Sequence, residues 1–192
     1  MLVSDSLEVN PGLRLMEVGT GVTGICAALA GANRVAITDY PTPEILAALR
    51  TNVARNIKTA EEGNAAVIHG HEWGVVTDDF SIANAKRFTR ILCADCLWMT
   101  GEHLSLVQST LHLLSDKANS RVWVVAGFHT GRTAVVSFFD VASSAGLETE
   151  KIWERDVNGN EREWLSEKDG RRGDVTERSK WHVIAILKRW PG

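Results

Sequence analysis

Cysteine is scarce in this sequence. Cys26, Cys93 and Cys96 are the only three in 192 residues. An odd trio cannot form an all-paired disulfide framework, so a secreted disulfide scaffold is excluded, and the cytosol or nucleus is expected, the cytoplasm first. Long apolar runs are missing too. None approaches the ~18 residues of a membrane-spanning helix. The start, MLVSDSLEVN, has no basic stretch leading into an apolar one, so it does not read as a signal peptide. Charge of one sign is not in excess: the formal net charge is −3. That balance gives no general attraction to nucleic acid or anionic membranes, and neither is expected as a partner. No internal repeat, low-complexity tract or linker interrupts the chain, so one domain over residues 1–192 is expected.

The most informative stretch present is Glu17-Val18-Gly19-Thr20-Gly21-Val22-Thr23-Gly24. It follows the apolar run Leu13 to Val18 and opens the alanine-rich segment Ile25 to Ala30, which predicts a strand, a glycine turn and a helix start. Such a turn cradles a nucleoside cofactor, with bare backbone at Gly21 and close helix packing at Gly24. Asp39 ends the next apolar run, where an acid can bind a ribose hydroxyl. Glu17, just before the first glycine, helps choose the ligand. A dinucleotide would put pyrophosphate on the helix N-terminus, and a carboxylate is a poor neighbour for phosphate. S-adenosylmethionine carries a sulfonium and an ammonium and no phosphate, so the methyl donor is favoured over NAD.

Strand and helix patterns then alternate. Strands are predicted at 13–18, 35–39, 65–69, 90–94 and 122–127. Helices are predicted near 22–31, 44–57, 102–117 and 132–144, with Ile45, Leu49, Val53 and Ile57 as the buried stripe of the second. The strands are apolar without alternating, so both faces should be covered by helices. The repetition gives a doubly wound, mostly parallel α/β sheet. The last third differs. Leu147–Trp153 and Trp181–Leu187 read as consecutive strands, hence an antiparallel pair at one sheet edge. Between them runs a polar loop, 155–180, whose seven basic and seven acidic residues cancel. It reads as a solvated loop or as a lid over the site.

Several residues carry two readings. Asp39 and Asp95 at strand ends could cap turns, and Trp73 could be core packing. Cys93-x-x-Cys96 has metal-like spacing but no second pair, so both read as small apolar residues. His69 and His71 flank Gly70 without a third ligand and read as structural. His129, after the fifth strand, lies on the edge where cofactor and substrate would meet. No serine, histidine and acid arrangement stands out.

At these residues the chain resembles a known group. The segments LMEVGTGVTGICAALAGANRVAITDY, HEWG and ILCADCLWM are similar to the seven-β-strand methyltransferases of methyltransferase family 16. The TDYP turn most resembles the fungal nicotinamide N-methyltransferase-like branch, which includes enzymes that methylate a translation elongation factor. The resemblance implies a Rossmann-like seven-stranded sheet with an antiparallel C-terminal strand, and S-adenosylmethionine as cofactor. It implies that Glu17, Gly19, Thr20 and Gly21 line the methionine part, and that Asp39 holds the ribose with Tyr40 beside the adenosine. Trp73 would lie against the adenine, and Ala94 and Asp95 would close the site. The family's usual tyrosine three places after that acid is Trp98 here, so its hydroxyl is lost. Family members carry a preceding segment with a tryptophan that helps cover the cofactor, and this chain is expected to lack it.

Methyl transfer to an amine needs a neutral nitrogen, and Asp95 and His129 are the candidate proton acceptors. The expected activity is N-methylation of a protein lysine or N-terminus, possible substrates including a translation elongation factor, or of a small nitrogen heterocycle or small-molecule amine. A non-catalytic S-adenosylmethionine-binding interaction module and an NAD-dependent oxidoreductase are the alternatives.

Overall fold

A computed structural model describes residues 14–18, 21–57, 65–166 and 179–190 of the chain. Its elements, in chain order, are β1 (Arg14–Val18), α1 (Val22–Leu29), β2 (Arg34–Asp39), α2 (Pro43–Asn56), β3 (Ala65–Gly70), α3 (Asp79–Asn84), β4 (Arg90–Ala94), α4 (His103–Leu113), β5 (Arg121–Gly127), α5 (Arg132–Ser144), β6 (Leu147–Asp156), β7 (Glu161–Glu163) and β8 (Trp181–Arg189). They form one sheet in the order β3-β2-β1-β4-β5-β8-β6-β7. Strands β1 to β5 are parallel. β8 lies antiparallel between β5 and β6. The mostly parallel sheet with a reversed C-terminal strand is the fold expected from the sequence.

Strand parity sorts side chains to two faces. Met16 and Val18, Ile91 and Cys93, and Val122 and Val124 join one core, filled by Leu106, Val107 and Leu113 of α4 and Val135 and Phe138 of α5. Val35, Ile37 and Leu92 join a second core, filled by Ile25, Ala27 and Ala28 of α1 and Leu49 of α2. Burying a large apolar side chain contributes about 1.5–3 kcal/mol, so these helix stripes, rather than intrinsic helix propensity, hold the layers. α2 starts with Pro43 in its first turn, where the missing N–H is no loss.

Three readings change. Of the expected α2 stripe, Leu49, Val53 and Ile57 pack on the second core, but Leu46 takes the place of Ile45, which is 37% exposed. The 102–117 helix is shorter, because after Leu113 the chain turns extended and Leu114 bridges to Phe88. The region 155–180 is not all loop. β6 continues to Asp156, turns through Asn158 and Asn160, whose amides donate to Asp156 Oδ1 at 2.9 Å each, and returns as β7. This short strand makes eight among the described residues, where seven were expected.

β5 and β6 point the same way, since β8 is antiparallel to both. The carboxyl ends of β1 to β6 and the start of β8 therefore share one edge. No helix among the described residues is long and apolar enough to cross a membrane.

Candidate functional site

The strand order reverses at β1, whose neighbours are β2 and β4. Ligands of open α/β sheets bind at such a switch point, outside the carboxyl ends of the strands. Five of these strand ends carry the residues singled out in the sequence.

Glu17 follows the parity of β1 and faces away from Met16 and Val18, towards α1. It is fully buried. Its Oε1 accepts the Gly21 N–H at 2.9 Å and its Oε2 accepts the Gly24 N–H at 2.7 Å. Burial pushes its carboxyl above the usual range, and the Gly24 and Gly21 amides pull the other way. Gly24 must lack a side chain, because a Cβ there would lie 2.6 Å from Glu17 Oε2. Gly21, the residue before α1, has φ of 88° and makes the left-handed entry to the helix. The carboxylate thus occupies the amides that a helix N-terminus would otherwise offer to an anion. Gly19 and Thr20 lie outside the described residues.

At the end of β2, Asp39 is half-buried. Its Oδ1 accepts the Tyr40 N–H at 2.7 Å, and its carbonyl accepts the His71 N–H at 2.9 Å. Asp39 Oδ2 has no hydrogen-bond partner among the described residues. Tyr40 is 52% exposed. Trp73 follows β3, half-buried and packed against the first core.

At the end of β4, Ala94 is half-buried and Asp95 is exposed. Asp95 holds a left-handed φ of 56°, a costly conformation outside glycine that clusters at functional sites. Its N–H donates to the Val125 carbonyl at 2.7 Å. Its Oδ1 accepts the Gly127 N–H at 3.1 Å, and its Oδ2 meets His129 Nε2 at 3.2 Å. The structure therefore brings Asp95 and His129 together.

Cys93 and Cys96 are both buried, as apolar residues would be. Cys96 Sγ donates to the Val18 carbonyl at 2.9 Å, and burial pushes the Cys93 thiol up to about 12. His69 packs on Phe80 with ring centroids 4.6 Å apart. Among the described residues no three His, Cys, Asp or Glu side chains gather into a metal-holding group.

Two clusters escaped the sequence reading. The first is a hydrogen-bonded row from Asp78 through His71 to Ser109. His71 Nδ1 lies 3.1 Å from Asp78 Oδ2, and His71 Nε2 lies 2.9 Å from Ser109 Oγ. This is the order of a nucleophilic triad, but Ser109 is 1% exposed and His71 2%, so no substrate reaches the hydroxyl. The second is buried Glu154, held by Arg132 Nη1 at 2.7 Å and Arg162 Nε at 2.8 Å. The Arg132 guanidinium lies over the Phe128 ring, 4.3 Å from its centroid. It fixes the start of α5 directly after the loop that carries His129. Both clusters join residues remote in sequence, so no local motif announces them.

The sequence model of the lysine methyltransferase family matches residues 10–145. Over 172 residues the chain is 30% identical to the protein N-terminal and lysine N-methyltransferase EFM7 of Gibberella zeae, covering 79% of this chain and 63% of that protein. It is 30% identical over 156 residues to the protein of the same name from Schizosaccharomyces pombe, covering 78% and 60%. The chain thus spans about three fifths of the length of these curated relatives. A crystal structure of a SAM-dependent methyltransferase from Aquifex aeolicus superimposes with a TM-score of 0.62 at 10% identity, covering 93% of this chain and 84% of that one. At that identity the likeness concerns the fold alone.

Proposed function

The chain belongs to the lysine methyltransferase family, and from that premise we propose that it transfers a methyl group from S-adenosylmethionine to a protein nitrogen, a lysine side chain or an N-terminal amine. The observation that carries this reading is the placement of the two acids. Glu17 takes the Gly21 and Gly24 amides at the start of α1, so a pyrophosphate would find these two donors engaged and a negative charge beside them. Asp39 keeps one carboxylate oxygen open at the end of the next strand, suited to ribose hydroxyls. A nucleoside with a cationic head and no phosphate fits both.

When bound, the cofactor supplies an electrophilic methyl on a sulfonium, and the sulfur keeps the electron pair of the broken S–C bond. The protein orients the partners and manages one proton. Gly19, Thr20 and Gly21 would lie along the methionine part, Tyr40 beside the adenosine, Trp73 against the adenine, and Ala94 and Asp95 at the floor. An attacking amine must shed a proton. With Nε2–H of His129 donated to Asp95 Oδ2, at 3.2 Å, the ring's Nδ1 is left to accept that proton. Asp95 then fixes the tautomer, a role that suits its hydrogen bond from Gly127.

The names of the relatives favour a protein acceptor over a small-molecule amine. The translation elongation factor implied by the branch resemblance is the first protein to test. Three unpaired cysteines fit a cytoplasmic address. The test is transfer of a radiolabelled methyl from the donor into cell extract, with the labelled product identified. Label in a protein lysine or N-terminus supports the proposal. Binding of S-adenosylhomocysteine without any transfer would favour a non-catalytic module instead.

A further inference from the structure

The turn that carries Trp73 is tied at both ends. On one side the His71 N–H donates to the Asp39 carbonyl at 2.9 Å. On the other the Gly74 N–H donates to Ser109 Oγ of α4 at 2.8 Å. The same hydroxyl lies 2.9 Å from His71 Nε2. One side chain on α4 therefore grips both flanks of Trp73. The row balances with the histidine proton on Nδ1: Nδ1–H donates to Asp78, the Ser109 hydroxyl donates to Nε2, and Ser109 Oγ accepts from Gly74. Asp78 is anchored in turn, since its Oδ1 accepts the Ser81 N–H at 2.7 Å. The turn also lies against α4: a Cβ on Gly74 would come 3.2 Å from Ser105 Cβ. The row is nearly closed to solvent at His71 and Ser109, and neither residue takes part in the methyl-transfer chemistry.

We propose that Ser109 and His71 are positioning residues for Trp73, setting the plane of its indole against the nucleobase of the bound nucleoside. The inference rests on the cofactor reading above, in which Trp73 meets the base. Stacking depends on the relative placement of two ring planes. An indole on a turn held at one end only would sample several orientations, and the base would bind whichever fraction of them fits.

A double-mutant cycle tests this, because coupling separates action through Trp73 from a general structural effect. S-adenosylhomocysteine affinity is measured by calorimetry for the parent chain, Ser109→Ala, Trp73→Ala and the double variant. Ser109→Ala is expected to weaken binding about tenfold. The double variant is expected to bind no more weakly than Trp73→Ala alone. His71→Phe runs through the same cycle as a second entry point if Ser109→Ala does not fold. It keeps the ring beside Phe80, whose centroid is 5.6 Å away, and removes both ring hydrogen bonds. Unchanged affinity in the single variants, or penalties that multiply in the double variant, would overturn the positioning role while leaving the cofactor reading standing. A parent chain that does not bind S-adenosylhomocysteine would overturn the cofactor reading and this inference with it.

Discussion

At Gly127 the missing side chain is what lets His129 fold back to Asp95. A Cβ there would stand 2.5 Å from His129 Nε2 and 2.8 Å from Cε1. The atoms in the way belong to the far end of an exposed side chain, so Gly127→Ala should displace the imidazole without unfolding the domain. General-base assistance contributes about 10²–10⁴-fold to rate, and losing its alignment should lower turnover about tenfold or more. S-adenosylhomocysteine affinity should fall far less than turnover, because the substitution displaces the imidazole and keeps the Gly127 N–H that donates to Asp95 Oδ1. Radiolabelled transfer and calorimetry on the same preparation check both halves, and undiminished turnover would take the His129–Asp95 pair out of the chemistry. Asp39 supports a complementary prediction. Hydrogen bonds to a charged group are worth roughly 1.5–3 kcal/mol each, so Asp39→Ala should lose at least about tenfold in S-adenosylhomocysteine affinity with little change in melting curve. Unaltered affinity would remove Asp39 from the site. Asp39 was visible in the sequence because it ends an apolar run; Gly127 was not, because its contact with His129 needs the fold. The direction of Glu17 was not read, although strand parity held the clue: it alternates with Met16 and Val18 and so faces α1.

Among the elements, α3 shows why short pieces hide. It has six residues, of which Phe80 and Ser81 are buried, too few to display a period. What fixes it is the cap, where Asp78 Oδ1 accepts the Ser81 N–H. That bond and the His71 contact outweigh desolvation and hold the Asp78 carboxyl below its ordinary value of 3.8. A depressed folded pKa means stability that is present above the ordinary value and lost as pH falls through the folded one. Asp78→Ala should therefore cost roughly 0.5–2 kcal/mol near neutral pH, as N-cap losses do. The gap to the parent chain should close in acid, below about pH 4. Urea unfolding at several pH values measures it, and a gap independent of pH would show that the charge contributes nothing. β7 was hidden for another reason. Its Glu-Arg-Glu has no apolar pattern because it is an edge strand paired only to β6. The inner parallel strands β1, β2, β4 and β5 were legible because each is a largely buried apolar run followed by a helix of its own.

At the scale of the molecule, the two halves of the sheet serve one edge. The parallel half ends in Glu17, Asp39, Trp73 and Asp95. In the antiparallel half, β6 ends and β8 begins at the same edge, and Tyr40, Trp98 and Leu104 are 52%, 55% and 52% exposed. Whether a nucleotide or a phosphate-free nucleoside belongs there turns on the start of α1. Its Gly21 and Gly24 amides already serve Glu17, 2.9 and 2.7 Å away. A pyrophosphate would have to displace a buried carboxylate from these donors, or lie beside it, and either is unfavourable. A thioether with an ammonium group faces no such conflict. A ligand that binds only the folded chain stabilises it by about 2.7 kcal/mol when present at about 100 times its Kd. A domain of this size shifts its melting temperature by about 2–4 °C per kcal/mol. S-adenosylhomocysteine at that excess should raise the melting temperature by about 5 to 11 °C, whereas NADH at the same concentration should leave it in place. A shift with NADH equal to or larger than that with S-adenosylhomocysteine would mean that Glu17 does not close the helix end to phosphate, and would return the chain to the dinucleotide-binding reading.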